Sequence, residues 1–404
     1  MVQVCRAHGA ALVPQGGNTG LVGGGVPLAG EVVLSLGRLR RVDDVDGTAG
    51  QLTAGAGATL ADVHRAAEAG GWAYGVDFAS RERATVGGTV ATNAGGLRVL
   101  RYGDTRAQLL GVEAVLGDGS VISHLGGLVK DNTGYHLSSL LCGSEGTLGV
   151  VTAVRLRLVP RADERAVVLL AFDDVGAAVT AAGALRREVR VLEAAELFLA
   201  GGLDLVCDVT GLAPPCPRGH VAYLLVEAAD RVSPAADLAA AIGSLNDVAD
   251  VVVAVDAPAR AGFWRYREEH AAAVNTLGPP HKFDVTLPGD RLVEFLEAVP
   301  ATVAALAPSG RIWMWGHAAD GNIHVNVTGI DPADGLVDDA VLSLVAGLGG
   351  SISSEHGIGT AKRAWLSLNR SPAEIDAFRA VKRALDPDGI LNPNVLLPAV
   401  ASAG

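Results

Sequence analysis

His317 and His324 flank Asp320-Gly321 in the stretch Gly316-His-Ala-Ala-Asp-Gly-Asn-Ile-His-Val-Asn326, and Glu355 and His356 stand side by side in Gly349-Gly-Ser-Ile-Ser-Ser-Glu-His-Gly-Ile-Gly359. Two imidazoles and a carboxylate are the ligand set of an open Zn²⁺, Mn²⁺ or Fe²⁺ site, one that leaves positions for water or substrate. The same residue types also serve as polar turn residues and satisfied core histidines, and the pattern leaves both readings open. What favours chemistry is concentration: three of the ten histidines, with Glu355, fall in two glycine-punctuated segments.

A hairpin must position this group. Ile312 to Trp315 reads as one strand and Ile323 to Val327, which alternates, as the next, with Asp320-Gly321 as the turn signal between them. The hairpin carries His317 and His324 towards each other, and His324 and Asn326, two apart, share a face.

The first half holds segments of a different kind. Pro14-Gln-Gly-Gly-Asn-Thr-Gly-Leu-Val-Gly-Gly24 follows an apolar strand, Ala10 to Pro14. Its glycines let successive N–H groups point at a pyrophosphate; a mobile glycine loop is the alternative. It is neither G-x-G-x-x-G nor a lysine-bearing P-loop, so no nicotinamide or ATP fingerprint applies. Thr85-Val-Gly-Gly-Thr-Val-Ala-Thr-Asn-Ala-Gly-Gly96 suits close approach to a flat ring or ribose, and equally tight packing of a helix or strand. Gly143 to Thr152 is a third glycine loop, running into a strand that ends near Pro160. Around these loops Val2 to His8 reads as the end of a helix closed by Gly9. Strands follow at Glu31 to Ser35 and Gln51 to Gly55, then a helix from Leu60 to Ala69 between Thr59 and Gly70-Gly71. Leu109 to Leu116 and Val121 to Ile122 make a hairpin through Gly117-Asp118-Gly119.

A composition change at Pro160 marks a domain boundary. Arg165 to Phe172, Val221 to Ala228 and Val248 to Val255 read as strands, and Asp174 to Arg187 and Ala235 to Leu245 as helices, a β-α-β sandwich of modest size. Gly262 to Ala271 begins a helix with a dense charge cluster, which on its own suits a solvated face. His281 to Pro288 alternates as a strand, Pro372 to Leu385 is a helix, Pro214-Pro-Cys-Pro217 is a loop or crossover, and Ala399 to Gly404 reads as a disordered end.

The whole chain sets bounds. Its 404 residues suggest two or three domains. Glycine, at 52 residues, is nearly twice its usual share, and the net charge is −12 with no basic block, which speaks against nucleic acid. Cys5, Cys142, Cys207 and Cys216 are scattered without a C-x-x-C pair, which argues against disulfide scaffolds and iron–sulfur clusters and for a reducing compartment. No signal peptide is visible after Met1, and no apolar run is long enough to span a membrane. A cytoplasmic protein, free or peripheral to a membrane, is the expectation.

Taken together, Pro14–Gly24, Thr85–Gly96, Lys130-Asp-Asn-Thr-Gly-Tyr135 and Gly143–Thr152 resemble the flavin domain of vanillyl-alcohol oxidase (PCMH) type. With His317–Asn326 and Ser354–Gly359 added, the chain resembles the FAD-linked D-2-hydroxy-acid dehydrogenases, a family that includes D-2-hydroxyglutarate and D-lactate dehydrogenases and the glycolate oxidase catalytic subunit. The resemblance runs from about Leu12 to Pro398. It implies an α+β fold: a PCMH-type FAD-binding domain over 1–160, shortened at its start, a substrate- and metal-binding α+β cap over 161–385, and a tail, 386–404, returning to the flavin domain. The family normally has a further strand and helix ahead of Leu12. Their absence implies a late start codon or a truncation, and an exposed flank that weakens FAD binding.

By resemblance Pro14, Gly16, Gly17, Asn18, Thr19 and Gly20 hold the pyrophosphate, and Asp77, Thr85, Gly88, Thr92, Asn93, Gly95, Val150 and Asn392 line the cofactor. Relatives with covalent flavin carry a histidine where Asn18 and Thr19 stand, so noncovalent FAD is expected. His317, His324 and Glu355 are implied as ligands of a divalent metal, Zn²⁺ first, with Mn²⁺ or Fe²⁺ as alternatives. Arg267 and Lys282 are implied as the clamp on the substrate carboxylate, Asn326 as its orienting group and His356 as general base, the C2 hydride passing to flavin N5. Where 2-hydroxyglutarate enzymes have a threonine for the distal carboxylate, this chain has Ala271, which puts a dicarboxylate substrate in doubt; His270, one residue away, is a candidate to compensate. Reoxidation is expected from an external acceptor, whether an electron-transfer flavoprotein, a quinone or an iron–sulfur subunit, and a homodimer is left open. The competing reading is a non-catalytic or FAD-poor subunit of a larger oxidase assembly. The alkyl-glycerone-phosphate synthase branch of the same fold is disfavoured because its histidine-rich run is missing.

Overall fold

The computed structural model describes residues 1–398, and the end expected to be disordered, Ala399 to Gly404, lies outside the described residues. The chain divides into two compact units, Met1–Arg161 together with the residues from Glu355 onward, and Ala162–Ser354. The first break falls at the composition change near Pro160. The chain returns to the first unit at Glu355 rather than at Asp386, so Glu355 and His356 belong with the flavin-type loops.

In the first unit β1 (Leu12–Gln15) and β2 (Val32–Ser35) form a parallel pair, and the Pro14–Gly24 loop runs between them. β3 (Gln51–Gly55), β5 (Leu109–Val115), β6 (Val121–His124) and β7 (Val150–Arg157) form an antiparallel sheet in the order β3-β7-β5-β6, and β4 (Trp72–Ala73) pairs with β8 (Val159–Pro160). The helix Leu60–Ala69 starts where a capping box starts it: Asp62 N donates to Thr59 Oγ1 at 3.0 Å and Thr59 N donates back to Asp62. Its buried Leu60, Val63 and Ala67 join Leu52, Tyr74, Val86 and Leu156 in one core. A second, smaller core sets Val2 and Cys5 of the first helix, Val2–Ala7, against Leu12, Val150, Ile390 and Leu391. The tail is tied in through backbone: Leu12 N donates to Ile390 O and Asn392 N to Leu12 O, both at 2.7 Å.

The second unit is organised on one seven-stranded antiparallel sheet. Its strands are β9 (Glu164–Phe172), β10 (Leu192–Leu199), β11 (Ala222–Asp230), β12 (Asp250–Val253), β13 (His281–Thr286), β14 (Arg311–His317) and β15 (Asn322–Thr328), in the order β12-β9-β11-β10-β14-β15-β13. This is larger than the modest sandwich expected, because the hairpin β14–β15 and the strand β13 join the same sheet. β11 is buried along almost its whole length and β9 from Val167 onward, so neither alternates in hydropathy there. Phe198, Tyr223, Leu225, Trp313 and Trp315 pack on one face against Leu203, Cys207, Tyr266 and Val274 of the helices Ala200–Thr210, Ala257–Glu268 and His270–Asn275. The helix Val175–Glu188, N-capped by Asp174, packs against β9, β10 and β11 through Ala178, Ala181, Ala182 and Leu185.

Candidate active site

A cleft in the first unit is walled by loops with almost no side chains. Pro14, Gly16, Gly17, Asn18, Thr19 and Gly20 line one side, Thr85, Gly88 and Thr92 another, and Glu145, Val151 and His356 complete it. Two of the glycines are needed for packing rather than for a ligand. A Cβ at Gly16 would lie 2.1 Å from Thr85 Oγ1, and one at Gly17 would lie 1.8 Å from Arg83 O. Gly20 is different: a Cβ there meets no protein atom within 4 Å, so a side chain would project into open space at a position that lines the cleft.

The remaining expected cofactor residues stand outside the lining. Val150 points into the small core with Leu12 and Leu391, and its neighbour Val151 takes the place on the cleft, because successive strand residues face opposite sides. Asn93 caps the helix Val86–Thr92 in a left-handed conformation, its Nδ2 donating to Asp104 at 2.7 Å. Asp77 is buried beside Arg81 at 3.1 Å and Arg98 at 3.7 Å. Gly95 packs under Glu355, whose Oε1 accepts from Gly96 N at 2.5 Å. Asn392 acts from behind the wall, donating to Gly24 O at 2.8 Å and Glu145 O at 2.7 Å. Lys130–Tyr135 lies on an exposed loop. Glu145, which sequence reasoning did not single out, accepts from Ile358 N at 2.9 Å and Gly359 N at 2.7 Å and so fixes the backbone just beyond His356. Burial pushes its carboxyl above the ordinary range, although these two N–H groups oppose the shift.

In the second unit the site is made of side chains on one sheet face. Register sets it: Glu196 pairs with His317, His317 with Asn322, His324 with Asp284, and Asn326 with Lys282. Cross-strand partners share a face, so four adjacent strands present Glu196, His317, His324, Asn326, Asp284 and Lys282 together. The two imidazole rings lie 5.7 Å apart between centroids. The turn between them is Ala318–Gly321, with Gly321 N donating to His317 O at 3.1 Å.

Glu196 organises this face. His317 Nδ1 lies 2.6 Å from its Oε1, and Arg267 Nε donates to its Oε2 at 2.7 Å, all three side chains being buried. Burial by itself would raise the Glu196 carboxyl; His317 and Arg267 outweigh it and hold the group below the ordinary carboxylate range. Asp284 faces His324 in the same way but at a longer distance, its Oδ1 3.5 Å from the ring Nδ1. Lys282 is partly desolvated, which lowers its ammonium. A carboxylate on Nδ1 is the usual orienting partner of a metal-binding histidine and makes Nε2 the ligand atom.

Arg267 is thus no part of a solvated helix face. Its signal in the sequence was indirect, an acidic residue inside the apolar strand Leu192–Leu199. His270 does not replace the missing threonine: it is buried against Phe198 and Trp315, at 5.3 and 5.1 Å between ring centroids, and burial pushes its imidazole down to about 3. Ala271 beside it is exposed.

Comparison with known proteins bears on both units. Residues 1–124 match the FAD binding domain family, and residues 161–396 match the C-terminal domain of FAD linked oxidases. D-2-hydroxyglutarate dehydrogenase of Xanthomonas citri pv. viticola is 38% identical over 408 residues, covering 98% of this chain and 86% of that protein. The mitochondrial D-2-hydroxyglutarate dehydrogenase of Arabidopsis thaliana is 34% identical over 408 residues, covering 98% of this chain and 72% of that protein. Among solved structures, p-cresol methylhydroxylase superposes with a TM-score of 0.75 at 15% identity, covering 97% of this chain and 85% of that one. An alkyldihydroxyacetonephosphate synthase superposes with a TM-score of 0.74 at 17% identity, covering 97% and 73%. These two likenesses are of fold alone. The cytoplasmic placement expected above is overturned by the relatives, several of which, from Arabidopsis thaliana to Bos taurus, are named as mitochondrial. Cys5, Cys142, Cys207 and Cys216 are free, which does not say which compartment holds the chain. No helix of the described residues is long and apolar enough to cross a membrane.

Proposed function

The chain belongs to the FAD-linked D-2-hydroxy-acid dehydrogenases and oxidises a D-2-hydroxy acid to the 2-oxo acid with FAD, and on that premise we propose the following roles for its residues. FAD sits noncovalently in the glycine-walled cleft, its pyrophosphate on the loop Gly16–Gly20, with Thr85, Gly88 and Thr92 beside it and Asp77, Asn93, Gly95, Val150 and Asn392 bracing the wall. The open space at Gly20 fits such an occupant. His317, His324 and Glu355 hold a divalent metal, Zn²⁺ first; the two carboxylate-oriented imidazoles are the donor type it needs. When bound, FAD supplies the hydride acceptor and the metal supplies the Lewis acidity that lowers the pKa of the substrate hydroxyl.

The side chains do the rest. His356 takes the hydroxyl proton as general base. Arg267 keeps donors beyond the one given to Glu196 and, with Lys282, holds carboxylate oxygens of the substrate. Asn326, opposite Lys282 in register, orients the substrate. With Ala271 offering no hydrogen bond to a distal carboxylate, a shorter or more apolar D-2-hydroxy acid stands beside 2-hydroxyglutarate as the substrate. Electrons leave to an external acceptor: an electron-transfer flavoprotein, a quinone or an iron–sulfur subunit.

The observation that carries this reading is the buried Glu196, which joins the arginine and the histidine in one hydrogen-bonded unit. Metal removal tests it. Exhaustive chelation should abolish turnover while leaving the flavin absorbance in place, and Zn²⁺ should restore the rate. Turnover unchanged after chelation eliminates the catalytic metal.

A further inference from the structure

At one end of β9, the strand next to the edge of the large sheet, three chain segments converge on residues that the reaction does not use. Phe172, the last residue of β9, pairs with Ala222 at the start of β11, and Ala171 pairs with Asp250 at the start of β12 on the other side. The connection before β11, carrying Pro214-Pro-Cys-Pro217 and His220, therefore arrives at the same end of β9 as Asp250. One donor atom each from Cys216, His220 and Asp250 lies within 4.8 Å of the other two. We propose that Cys216, His220 and Asp250 form a binding site for Zn²⁺ or a similar borderline-soft divalent cation.

Four features support it. The donors are a sulfur, an imidazole nitrogen and a carboxylate oxygen, a set that suits a tetrahedral borderline-soft cation and leaves one position for water. His220 Nδ1 lies 2.7 Å from Asp173 Oδ1, the residue directly after β9, so an outer carboxylate fixes the ring and Nε2 becomes the donor. The loop is stiffened where it must hold its shape: Pro214, Pro215 and Pro217 fix their own φ, and Gly219, at φ +124°, turns the chain between the two donors. The charges also balance, since a Cys216 thiolate and the Asp250 carboxylate neutralise a divalent ion. Arg218, the cation of the loop, is turned to Asp204 and Asp208, at 3.1 and 3.7 Å. The cation would pin the connection between the helix Ala200–Thr210 and β11 to the edge of β12.

Cobalt distinguishes this site from the other, because His317, His324 and Glu355 include no thiol. The full-length, FAD-loaded protein is titrated with Co²⁺ alongside Cys216→Ser, and the two spectra are subtracted so that the flavin cancels. The expected result is a near-ultraviolet sulfur-to-cobalt charge-transfer band in the difference spectrum, the loss of one bound equivalent in C216S, and unchanged turnover of the D-2-hydroxy acid. Equal stoichiometry with no difference band overturns the proposal, whatever becomes of the catalytic metal. Should C216S fail to fold, alkylation of Cys216 gives the same decision. Zn²⁺ should protect the thiol in the wild-type protein and not in His220→Asn, and labelling indifferent to Zn²⁺ in the wild-type protein overturns the site.

Discussion

The two units build their sites by opposite means. The first removes side chains: its cleft is shaped by glycines, threonines and backbone, and the contacts that matter run between loops near one another in the fold. The second adds them: six polar groups stand on one face of four strands, and their positions follow from register. A site of the first kind tolerates little added volume, and one of the second kind tolerates little lost charge. His356 is, beside the buried Glu145, an exception in the first unit: a titratable side chain on the wall of a backbone cleft.

That exception gives the largest effect. His356→Ala should slow flavin reduction by about 10²- to 10⁴-fold, the usual contribution of a general base, while FAD stays bound. Reduction at the wild-type rate would remove His356 from the chemistry. Next is Glu196→Gln, which leaves Arg267 buried opposite a neutral amide. Breaking a buried pair costs about 3–5 kcal/mol, and turnover should fall with stability while FAD content is unchanged. The pH dependence has a definite sign. The Glu196 carboxyl is held low in the folded state, so its contribution is full above the unfolded pKa and is lost as pH falls through the folded one. The wild-type protein should therefore lose stability on the acid side more steeply than E196Q, and identical acid limbs would mean that Glu196 does not organise the face. The smallest effect is Gly17→Ala, whose Cβ would meet Arg83 O. Overpacking of this kind costs about 1–3 kcal/mol and should weaken FAD retention on gel filtration without touching the second unit. A G17A protein that retains FAD as the wild type does would show that close loop packing does not shape the cleft.

The same contrast explains what could be read from the sequence. Glycine loops announce themselves in composition, and Gln51–Gly55, Leu60–Ala69 and Pro372–Leu385 lie where pattern and caps put them, Ser371 and Glu374 opening the last with a capping box. The hairpin around Asp320-Gly321 was legible for the same local reasons. β10 was not: Glu193 and Glu196 interrupt its apolar run, and a register shift falls between Leu192 and Ala194. The helix Ala200–Thr210 follows it directly with no side-chain cap to mark a start. Glu196 was beyond reach because its partners lie 71 and 121 residues away along the chain. Val150 was misplaced relative to the cleft by one residue, which in a strand is a whole face.

Anaerobic titration of the purified protein with paired D- and L-2-hydroxy acids, followed at the flavin absorbance, is the direct test of the activity. One D-acid should bleach the flavin to completion while its L-enantiomer leaves it yellow, and comparing D-2-hydroxyglutarate with D-lactate shows what Ala271 does to chain-length selectivity. A flavin-loaded protein that no D-2-hydroxy acid bleaches would contradict the dehydrogenase.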